Sequence, residues 1–256
     1  MKHTEALLKA EKFQQKMEKI AQNDYWRPQY HIAAPANWIN DPNGFCFYKG
    51  EYHLFYQYHP YSSQWGPMHW GHVASKDLAD WEHRPIALAP TDEYDKDGCF
   101  SGSAIENDGK LYLLYTGHVD LDNSNGGNDR IETQCLAVSD DGKHFEKVEN
   151  NPVIKALPEN LNIRTEHFRD PKVWKHGDWY YTVVGVQTKE ESGQVVVYKS
   201  QDLINWEFLN IMATSSVKEN LGFMWECPNF AEVNGHEALI LSPQGVKSEG
   251  NKFLNV

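Results

Sequence analysis

The sequence predicts an all-β fold, a β-propeller preceded by one short helix. Two sequence markers recur along the 256-residue chain at intervals of about 60 residues, and between them short strand-like runs alternate with turns. A unit of that length has room for about four short strands, which is the content of one propeller blade. The composition agrees, because 13% of the residues are aromatic and aromatic side chains favour strands.

The N-terminal segment, from residue 4 to about residue 21, predicts one amphipathic helix. Thr4 is a suitable N-cap for it. Lys and Glu residues separate apolar residues that recur at helical spacing, namely Leu7, Ala10, Phe13, Met17 and Ile20. We expect this helix to pack on the body of the protein rather than on a membrane or a partner.

The first repeated marker contains a Ser, an Asp two residues later, an aromatic residue four further on, and then Glu. Its starts lie 64 and 61 residues apart, in SKDLADWE (75–82), SDDGKHFE (139–146) and SQDLINWE (200–207). The second marker is a Gly turn that leads into an apolar strand. Its starts lie 59, 68 and 58 residues apart, at Gly50, Gly109, Gly177 and Gly235. Two independent markers with one period indicate structural repeats.

Four units begin within the chain, near residues 38, 99, 168 and 225, and the fourth lacks the Ser-Asp marker. This pattern divides the chain into an N-terminal helix and lead-in at 1–30 and a propeller domain at 31–256. About four blades are begun, and we expect the propeller to be incomplete.

A short polar cluster precedes each Gly turn, and three of the four clusters combine an acid with a Pro. The three are Asp41-Pro42, Asp170-Pro171 and Glu226-Cys227-Pro228. Equivalent positions on the first strands of successive blades surround the propeller axis, so we expect these carboxyl groups to share one funnel. Crowded carboxylates repel one another, and such groups in a cleft are typical of functional sites.

The stretch NDPNG at 40–44 is also typical of a simple tight turn, because Asn, Asp, Pro and Gly dominate turns. We prefer the functional interpretation, since the repeat supplies Asp41 with two acidic counterparts. A following Pro disfavours the helical region for the residue before it, which predicts that Asp41 and Asp170 are both extended.

The acids have different predicted surroundings. Asp41 lies among Asn40, Asn43 and backbone amides, which should keep it ionised. Glu226 follows the apolar stretch GFMW at 222–225, where we expect desolvation to raise its pKa toward the range of a general acid. One ionised carboxylate and one protonated carboxyl are the two groups that glycoside hydrolysis requires.

Four aromatic residues are candidates for the apolar walls of a sugar site, although core packing is the commoner role of any one of them. They are Trp38, Trp65, Phe100 and Trp225. The register of Glu226 is less regular, because alignment on the Pro residues places it level with Asn40 and Arg169, one position before the two Asp. In a regular strand it would face the opposite side, unless its longer side chain or an irregular strand compensates. The same alternation leaves a pairing of Arg169 with Asp170 open.

The composition argues against several classes of partner. A formal net charge of −12 without a basic patch argues against nucleic acid, and no apolar run approaches the length of a membrane span. The charged N-terminus does not resemble a signal peptide. Cysteines at 46, 99, 135 and 227 lack zinc or disulfide spacing, and His69 and His72 lack an accompanying carboxylate motif. We therefore expect a cytoplasmic protein without a metal or a cofactor.

The ordered set of motifs resembles glycoside hydrolase family 32, the invertases, sucrose-6-phosphate hydrolases, inulinases and levanases. The motifs are WINDPNG, YQYHP (56–60), WG (65–66), FSGS (100–103), FRDP (168–171) and ECP (226–228). The resemblance implies a five-bladed propeller followed by a β-sandwich domain. It also implies retaining double displacement on terminal β-fructofuranosides, without metal.

The resemblance implies roles for individual residues. Asp41 would be the nucleophile, Glu226 the acid/base, and Asp170 the group that stabilises the transition state through fructose hydroxyls. Cys227 matches a position thought to tune the pKa of Glu226. The residues that match substrate-contact positions are Asn40, Gln57, Trp65, Phe100, Ser101 and Arg169.

The charged helix before YWRPQYHIAAPANWINDPNG resembles members that cleave sucrose 6-phosphate inside bacteria. The expected partner is a small sugar, namely sucrose 6-phosphate, sucrose or a short fructan. Two alternatives stay open, an inverting furanosidase of a related propeller family and a propeller that only binds. Because the family's fifth blade and sandwich domain are missing, we expect this chain to be part of a longer protein.

Overall fold

The computed structural model describes residues 1–28, 30–121, 129–158, 161–215 and 221–252. Within these ranges the chain forms one helix and fourteen strands, which make four antiparallel sheets. Helix α1 spans His3–Ala21. The expected fold class, all-β with a short N-terminal helix, is confirmed.

The first three sheets each contain four strands in chain order. The first consists of β1 (Trp38–Tyr48), β2 (Glu51–His59), β3 (His69–Ser75) and β4 (Glu82–His83). The second consists of β5 (Gly98–Asn107), β6 (Lys110–Asp120), β7 (Arg130–Ser139) and β8 (Glu146–Lys147). The third consists of β9 (Ile163–His176), β10 (Trp179–Thr188), β11 (Gly193–Ser200) and β12 (Trp206–Thr214). The described part of the fourth contains β13 (Met224–Val233) and β14 (His236–Gln244).

The two sequence markers correspond to the two kinds of turn within each blade. Each Gly turn joins the first and second strands of a sheet, as at Asp108 and Gly109, whose φ angles are 50° and 76°. A two-residue hairpin of this type requires positive φ at both central positions. The blade starts inferred from the repeat are thereby confirmed.

The Ser-Asp marker forms the turn after the third strand, and side chains satisfy its backbone donors. In the third blade, the Asp202 carboxylate accepts the backbone N–H groups of Ile204 (2.9 Å) and Asn205 (2.7 Å). The Ser200 hydroxyl accepts the N–H of Leu203 at 3.0 Å. Asp77 and Asp141 accept the equivalent bonds in the first two blades. The repeat therefore has a physical cause in turn chemistry.

Neighbouring blades bury their facing surfaces against each other. Tyr48, Phe55 and Trp70 of the first blade share a buried cluster with Leu113 and Tyr115 of the second. Equivalent clusters join the second blade to the third and the third to the fourth. Because this packing fixes each blade against the next, the inner strands are held around a common axis.

Helix α1 packs against the first blade, as expected. Ala10 is fully buried against a cluster that includes Tyr56, Tyr58 and Val73. The expected N-cap at Thr4 is wrong. The helix begins at His3, and the Glu5 carboxylate accepts the backbone N–H of Lys2 at 3.4 Å, so Lys2 occupies the cap position. Ile20, which the apolar pattern placed on the packed side, is exposed.

Candidate active site

The first strand of each blade loses its regular pairing at the predicted polar cluster. In β1 the register shifts between Ile39 and Pro42, and in β5 it shifts between Phe100 and Gly102. Corresponding shifts in β9 and β13 leave out Asp170-Pro171 and Cys227-Pro228. In β9 and β13 the unpaired positions include a Pro, which has no N–H to donate to a neighbouring strand.

The residues predicted to be catalytic or to contact the substrate lie together in the structure. One cavity of about 360 Å³ is lined by all nine of them, Asn40, Asp41, Gln57, Trp65, Phe100, Ser101, Arg169, Asp170 and Glu226. Cys227 lies in the same wall, together with Met68, Arg130, Ser242 and Gln244. The expected convergence of the three carboxyl groups on one funnel is present.

Asp41 is the exposed member of the three acids. Its carboxylate accepts a hydrogen bond from the Ser101 hydroxyl at 3.3 Å. The Asn40 side chain beside it accepts a 2.7 Å hydrogen bond from the indole Nε1 of Trp38. The Asp41 carboxylate therefore faces the cavity, and the Ser101 hydroxyl, an uncharged group, donates a hydrogen bond to it.

Asp170 is buried, and its backbone is not extended as expected. Its φ is +65°, because Asp170 lies in the bulge before Pro171. Asp tolerates this conformation better than most residues. The backbone N–H of Asp170 donates to the Thr116 hydroxyl at 2.9 Å. The Oδ2 atom of Asp170 accepts the backbone N–H of Cys227, also at 2.9 Å. Burial raises the pKa of Asp170 to about 6, against the opposing effects of Arg169 and the Cys227 N–H.

Glu226 is ion-paired with Arg169 in the lining of the cavity. Its Oε1 accepts hydrogen bonds from Nε (3.1 Å) and Nη2 (2.8 Å) of the guanidinium. Each of these two residues is the last paired position before its bulge, so the irregular strand start resolves the register problem that Glu226 posed. The sequence left open whether Arg169 pairs with Asp170, and in the structure Nε of Arg169 lies 4.0 Å from Oδ2 of Asp170.

The prediction that Glu226 has apolar surroundings is wrong. Strand alternation turns the neighbouring Trp225 into the interface between the third and fourth blades, where its ring lies against Gly193. The Glu226 side chain itself is 31% exposed and ion-paired. Trp225 is therefore a core residue and not a wall of the cavity.

Two of the four aromatic candidates do line the cavity. Phe100 stacks on the imidazole of His118, with ring centroids 4.0 Å apart and planes 9° apart. Trp65 meets the edge of Phe100 at 6.2 Å and is 54% exposed. Trp38 does not line the cavity, but its indole N–H donates to the side chain of Asn40, which does. The buried Gln57 side chain donates to the carbonyl of Cys99 at 3.0 Å, which fixes its position beside Phe100.

Four polar residues were missed by sequence reasoning, Arg130 in the cavity wall and three others behind it. They are His118, Arg130, Glu132 and His167. Glu132 is the most buried, with a side chain that is 0% exposed, and it contacts Arg169 at 3.3 Å. Burial and the adjacent Arg169 and Arg130 lower the pKa of His167 to about 4, so its Nδ1 accepts hydrogen bonds from both guanidinium groups. None of the four belongs to a repeated marker, so the repeat gave no signal for them.

Two further features of the described ranges concern metal ions and membranes. Within them, no three His, Cys, Asp or Glu side chains are grouped so that they could hold a metal ion. His72 contacts His53 at 3.0 Å, whereas His69 contacts the carbonyl of Pro67 at 3.0 Å. In those ranges, too, no helix combines the length and apolarity needed to cross a bilayer.

The fold and the cavity together are those of a propeller glycoside hydrolase. A family model for the glycosyl hydrolases family 32 N-terminal domain matches residues 31–255, and the chain belongs to that family. The resemblance found in the motifs is thereby confirmed.

Curated relatives agree with the family match. The chain is 49% identical over 229 residues to a sucrose-6-phosphate hydrolase of Escherichia coli, covering 89% of this chain and 46% of that protein. It is 44% identical over 247 residues to a raffinose invertase of Escherichia coli, covering 95% of this chain and 50% of that protein. The chain thus spans about half the length of the curated relatives it matches.

Solved structures show the same fold. A Bombyx mori family 32 β-fructofuranosidase superimposes with a TM-score of 0.87 at 45% identity, covering 98% of this chain and 51% of that one. An Asp-to-Ala variant of that enzyme was solved in complex with sucrose. A sucrose-6-phosphate hydrolase from Lactobacillus gasseri superimposes with a TM-score of 0.78 at 35% identity, over 92% of this chain and 46% of that one.

Proposed function

We propose that the whole protein is a retaining β-fructofuranosidase that cleaves sucrose 6-phosphate or sucrose. The observation that carries this proposal is the meeting of Asp41, Asp170 and Glu226 in one cavity with Trp65 and Phe100. Carboxyl groups that face a sugar ring from two sides supply the nucleophile and the acid/base of a double displacement. The names of the relatives support the choice of substrate.

Each acid has a distinct part in the proposed reaction. The Asp41 carboxylate attacks C2 of the fructosyl unit while the bond from C2 to the glycosidic oxygen breaks and Glu226 gives that oxygen a proton. Water then attacks C2, Glu226 takes a proton from the water, and the bond between C2 and Asp41 breaks. Asp170, held by the Cys227 N–H, accepts hydrogen bonds from fructose hydroxyls and stabilises the developing positive charge.

Replacement of the nucleophile tests the proposal. We expect Asp41→Asn in the whole protein to lower kcat for sucrose by at least about 10³-fold, because the amide cannot form the covalent intermediate. The melting temperature should change little, since the Asp41 side chain is exposed and accepts one hydrogen bond. Asp140→Asn is the matched control, an exposed carboxylate paired with Lys110 at 2.9 Å. Hydrolysis that survives in Asp41→Asn would contradict the assignment, and sugar binding without hydrolysis by the unmodified protein would favour a binding module.

Methanol distinguishes retention from the inverting alternative. A fructosyl-enzyme intermediate is captured by methanol on the same face, so a retaining enzyme yields methyl β-fructofuranoside. We expect this product by NMR during hydrolysis of sucrose in dilute methanol. Exclusive formation of α-configured fructose, with no methyl glycoside, would establish inversion.

Arg130 is our candidate for the residue that recognises the phosphate of sucrose 6-phosphate. It lines the cavity, and its guanidinium is oriented by the carbonyl of Glu166 (3.0 Å) and the imidazole of His167 (3.2 Å). The other cavity arginine, Arg169, is held by both Glu132 (3.3 Å) and Glu226 (2.8 Å), whereas Arg130 has one carboxylate contact, with Glu132 at 3.6 Å. A phosphate monoester carries a charge near −2 at neutral pH and needs a local cation in a protein whose formal charge is −12.

The ratio of kcat/KM for sucrose 6-phosphate to that for sucrose tests this role. We expect Arg130→Gln to lower the ratio about tenfold, the effect of one charge-assisted hydrogen bond. Arg164→Gln is the control, because Arg164 is 40% exposed and pairs with Glu191 outside the cavity. An unchanged ratio in Arg130→Gln, or an equal fall in the control, would contradict the assignment.

The compartment and the domain division are part of the same proposal. A phosphorylated sugar is a metabolite of the cell interior, which supports a cytoplasmic enzyme. The family match at 31–255 supports residues 31–256 as the catalytic propeller and residues 1–30 as a lead-in. Fractionation of cells that express the whole protein tests the compartment, and recovery from the culture medium would contradict it.

A further inference from the structure

Glu132 is a buried carboxylate behind the cavity, and it contacts the strand that carries Asp170. Its side chain is 0% exposed in the middle of the second blade. Its Oε2 accepts the backbone N–H of Phe168 at 2.9 Å and a hydrogen bond from Nη1 of Arg169 at 3.3 Å. A buried carboxylate is costly unless it is paired, so these contacts hold Phe168 and Arg169 against the second blade.

Arg169 joins this buried carboxylate to the one in the cavity. Its Nη1 contacts Glu132, while its Nε and Nη2 both donate to Oε1 of Glu226. Because the five N–H groups of a guanidinium form a rigid planar fork, the position of one edge determines the position of the other. The Nδ1 atom of His167 accepts from Nη1 at 3.0 Å and completes the orientation.

The other charged groups around Glu132 come from three strands. Its Oε1 lies 3.6 Å from Nε of Arg130 on β7 and 3.6 Å from Nδ1 of His118 on β6, and His118 is itself bonded to Asp120. On β9, Asp170 lies 4.0 Å from Arg169. Burial raises the pKa of Glu132, but His118, Arg169, Arg130 and the Phe168 N–H together outweigh it and lower that pKa. Glu132 is therefore ionised at neutral pH.

The proposed acid/base chemistry creates a conflict at Arg169. Glu226 must carry a proton before it gives one to the leaving oxygen, yet its Oε1 is ion-paired with the Arg169 guanidinium at 2.8 Å. A second carboxylate on the opposite edge of the guanidinium offsets the positive charge of Arg169. Glu132 is the only carboxylate that contacts Arg169 from behind the cavity among the described residues.

We propose that Glu132 is a positioning residue for the proposed reaction, which holds Arg169 and counterbalances its charge so that Glu226 can alternate between its acid and base forms. This inference rests on the proposed function. It assigns a role in proton transfer to a residue that does not line the cavity and touches the reacting groups only through Arg169.

The pH profile of kcat/KM for sucrose in the whole protein tests this role. In Glu132→Gln, the amide oxygen can still accept the Phe168 N–H, but the negative charge is gone. We expect the alkaline limb of the profile to move down by about one pH unit, because Arg169 then acts on Glu226 without a counter-charge. Glu132→Asp keeps the charge at a greater distance from Arg169, so the limb should move the same way by a smaller amount.

Thr133→Val is the matched control for a purely structural effect. Thr133 is buried on the same strand and points to the opposite side, where its hydroxyl contacts the Cys135 sulfur at 3.8 Å. We expect this variant to keep the alkaline limb of the unmodified protein. If the limb stays in place in both Glu132→Gln and Glu132→Asp, or moves equally in Thr133→Val, the inference is overturned.

A crystal structure of Glu132→Gln provides a second readout that does not require activity. We expect Nη1 of Arg169 to leave position 132 and the guanidinium to turn further toward Glu226 and Asp170. An unmoved Arg169 would overturn the inference. Failure of the unmodified protein to cleave sucrose or its phosphate would contradict the proposed function, whereas the position of Arg169 in the variant would still decide whether Glu132 holds it.

Discussion

At the scale of single residues, Asp170 shows how a buried carboxyl group destabilises the folded chain at neutral pH. Its side chain is buried, and the contacts that favour its charged form, from Arg169 and the Cys227 N–H, do not fully offset that burial. The raised pKa, about 6 against 3.8, means that the folded protein binds a proton more tightly than the unfolded chain does. Stability from this residue is therefore fully present below about pH 4 and is lost as the pH rises through 6.

This linkage predicts that Asp170→Asn is more stable than the unmodified protein above neutral pH. The amide is uncharged at every pH, so the free energy of unfolding at pH 8 should rise by about 2–3 kcal/mol, while activity is lost. Near pH 4 the two proteins should differ by much less. Urea unfolding at both pH values measures the difference. Equal effects at pH 4 and pH 8, or a loss of stability at pH 8, would contradict the linkage argument.

At the scale of the elements, helix α1 depends on a small residue at its contact with the first blade. Ala10 is 0% exposed and lies against Ala34, Tyr58 and Ile86, so no room is left for a larger side chain. The hydrophobic pattern of the helix identified its buried side, but not the closeness of this contact.

We expect Ala10→Leu to lower the free energy of unfolding by about 1–3 kcal/mol, because the added carbons must displace packed rings. Leu8→Ala is the control, since Leu8 is 62% exposed on the same helix and its loss should change stability by less than about 0.5 kcal/mol. Chemical denaturation measures both variants. A stable Ala10→Leu protein would show that the helix is not held tightly on the blade.

At the scale of the whole molecule, buried histidines make the fold sensitive to acid. Burial lowers the pKa of His53, of His72 and, to about 3, of His69. The unfolded chain therefore binds more protons than the folded one below about pH 6.5, and stability falls as the pH drops through that value. Asp170 acts in the opposite sense between about pH 4 and pH 6, but it is a single group.

We expect the free energy of unfolding to fall between pH 6.5 and pH 5 by about 1.4 kcal/mol per pH unit for each proton taken up on unfolding. His69→Asn should reduce this slope by about one proton, because the Asn amide can still donate to the Pro67 carbonyl without titrating. Denaturant unfolding at several pH values measures the slope. A slope that is the same in both proteins would exclude His69 as a source of the acid sensitivity.

The blades and the placement of the site residues were predictable because both arise from local chemistry repeated along the chain. Turn residues such as Asp202 and Gly109 act within a few residues of their own position, so their pattern is visible without a structure. The equivalence of Asp41 and Asp170 follows from the same repeat. Their catalytic roles are predictions that Asp41→Asn and Asp170→Asn test, and the roles of the substrate-contact residues are likewise predictions.

The packing of the blades decided the surroundings of the site residues, which the repeated sequence markers could not predict. From another blade, Glu132 reaches Arg169 and Arg130 reaches His167, and Trp225 turns away from the cavity. Asp170 adopts a positive φ because its bulge requires it. Charges, burial and hydrogen bonds between residues 30 to 60 positions apart depend on how the sheets meet. The order of residues therefore determined that carboxyl groups would gather at the axis, whereas the tertiary structure decided the environment of each one.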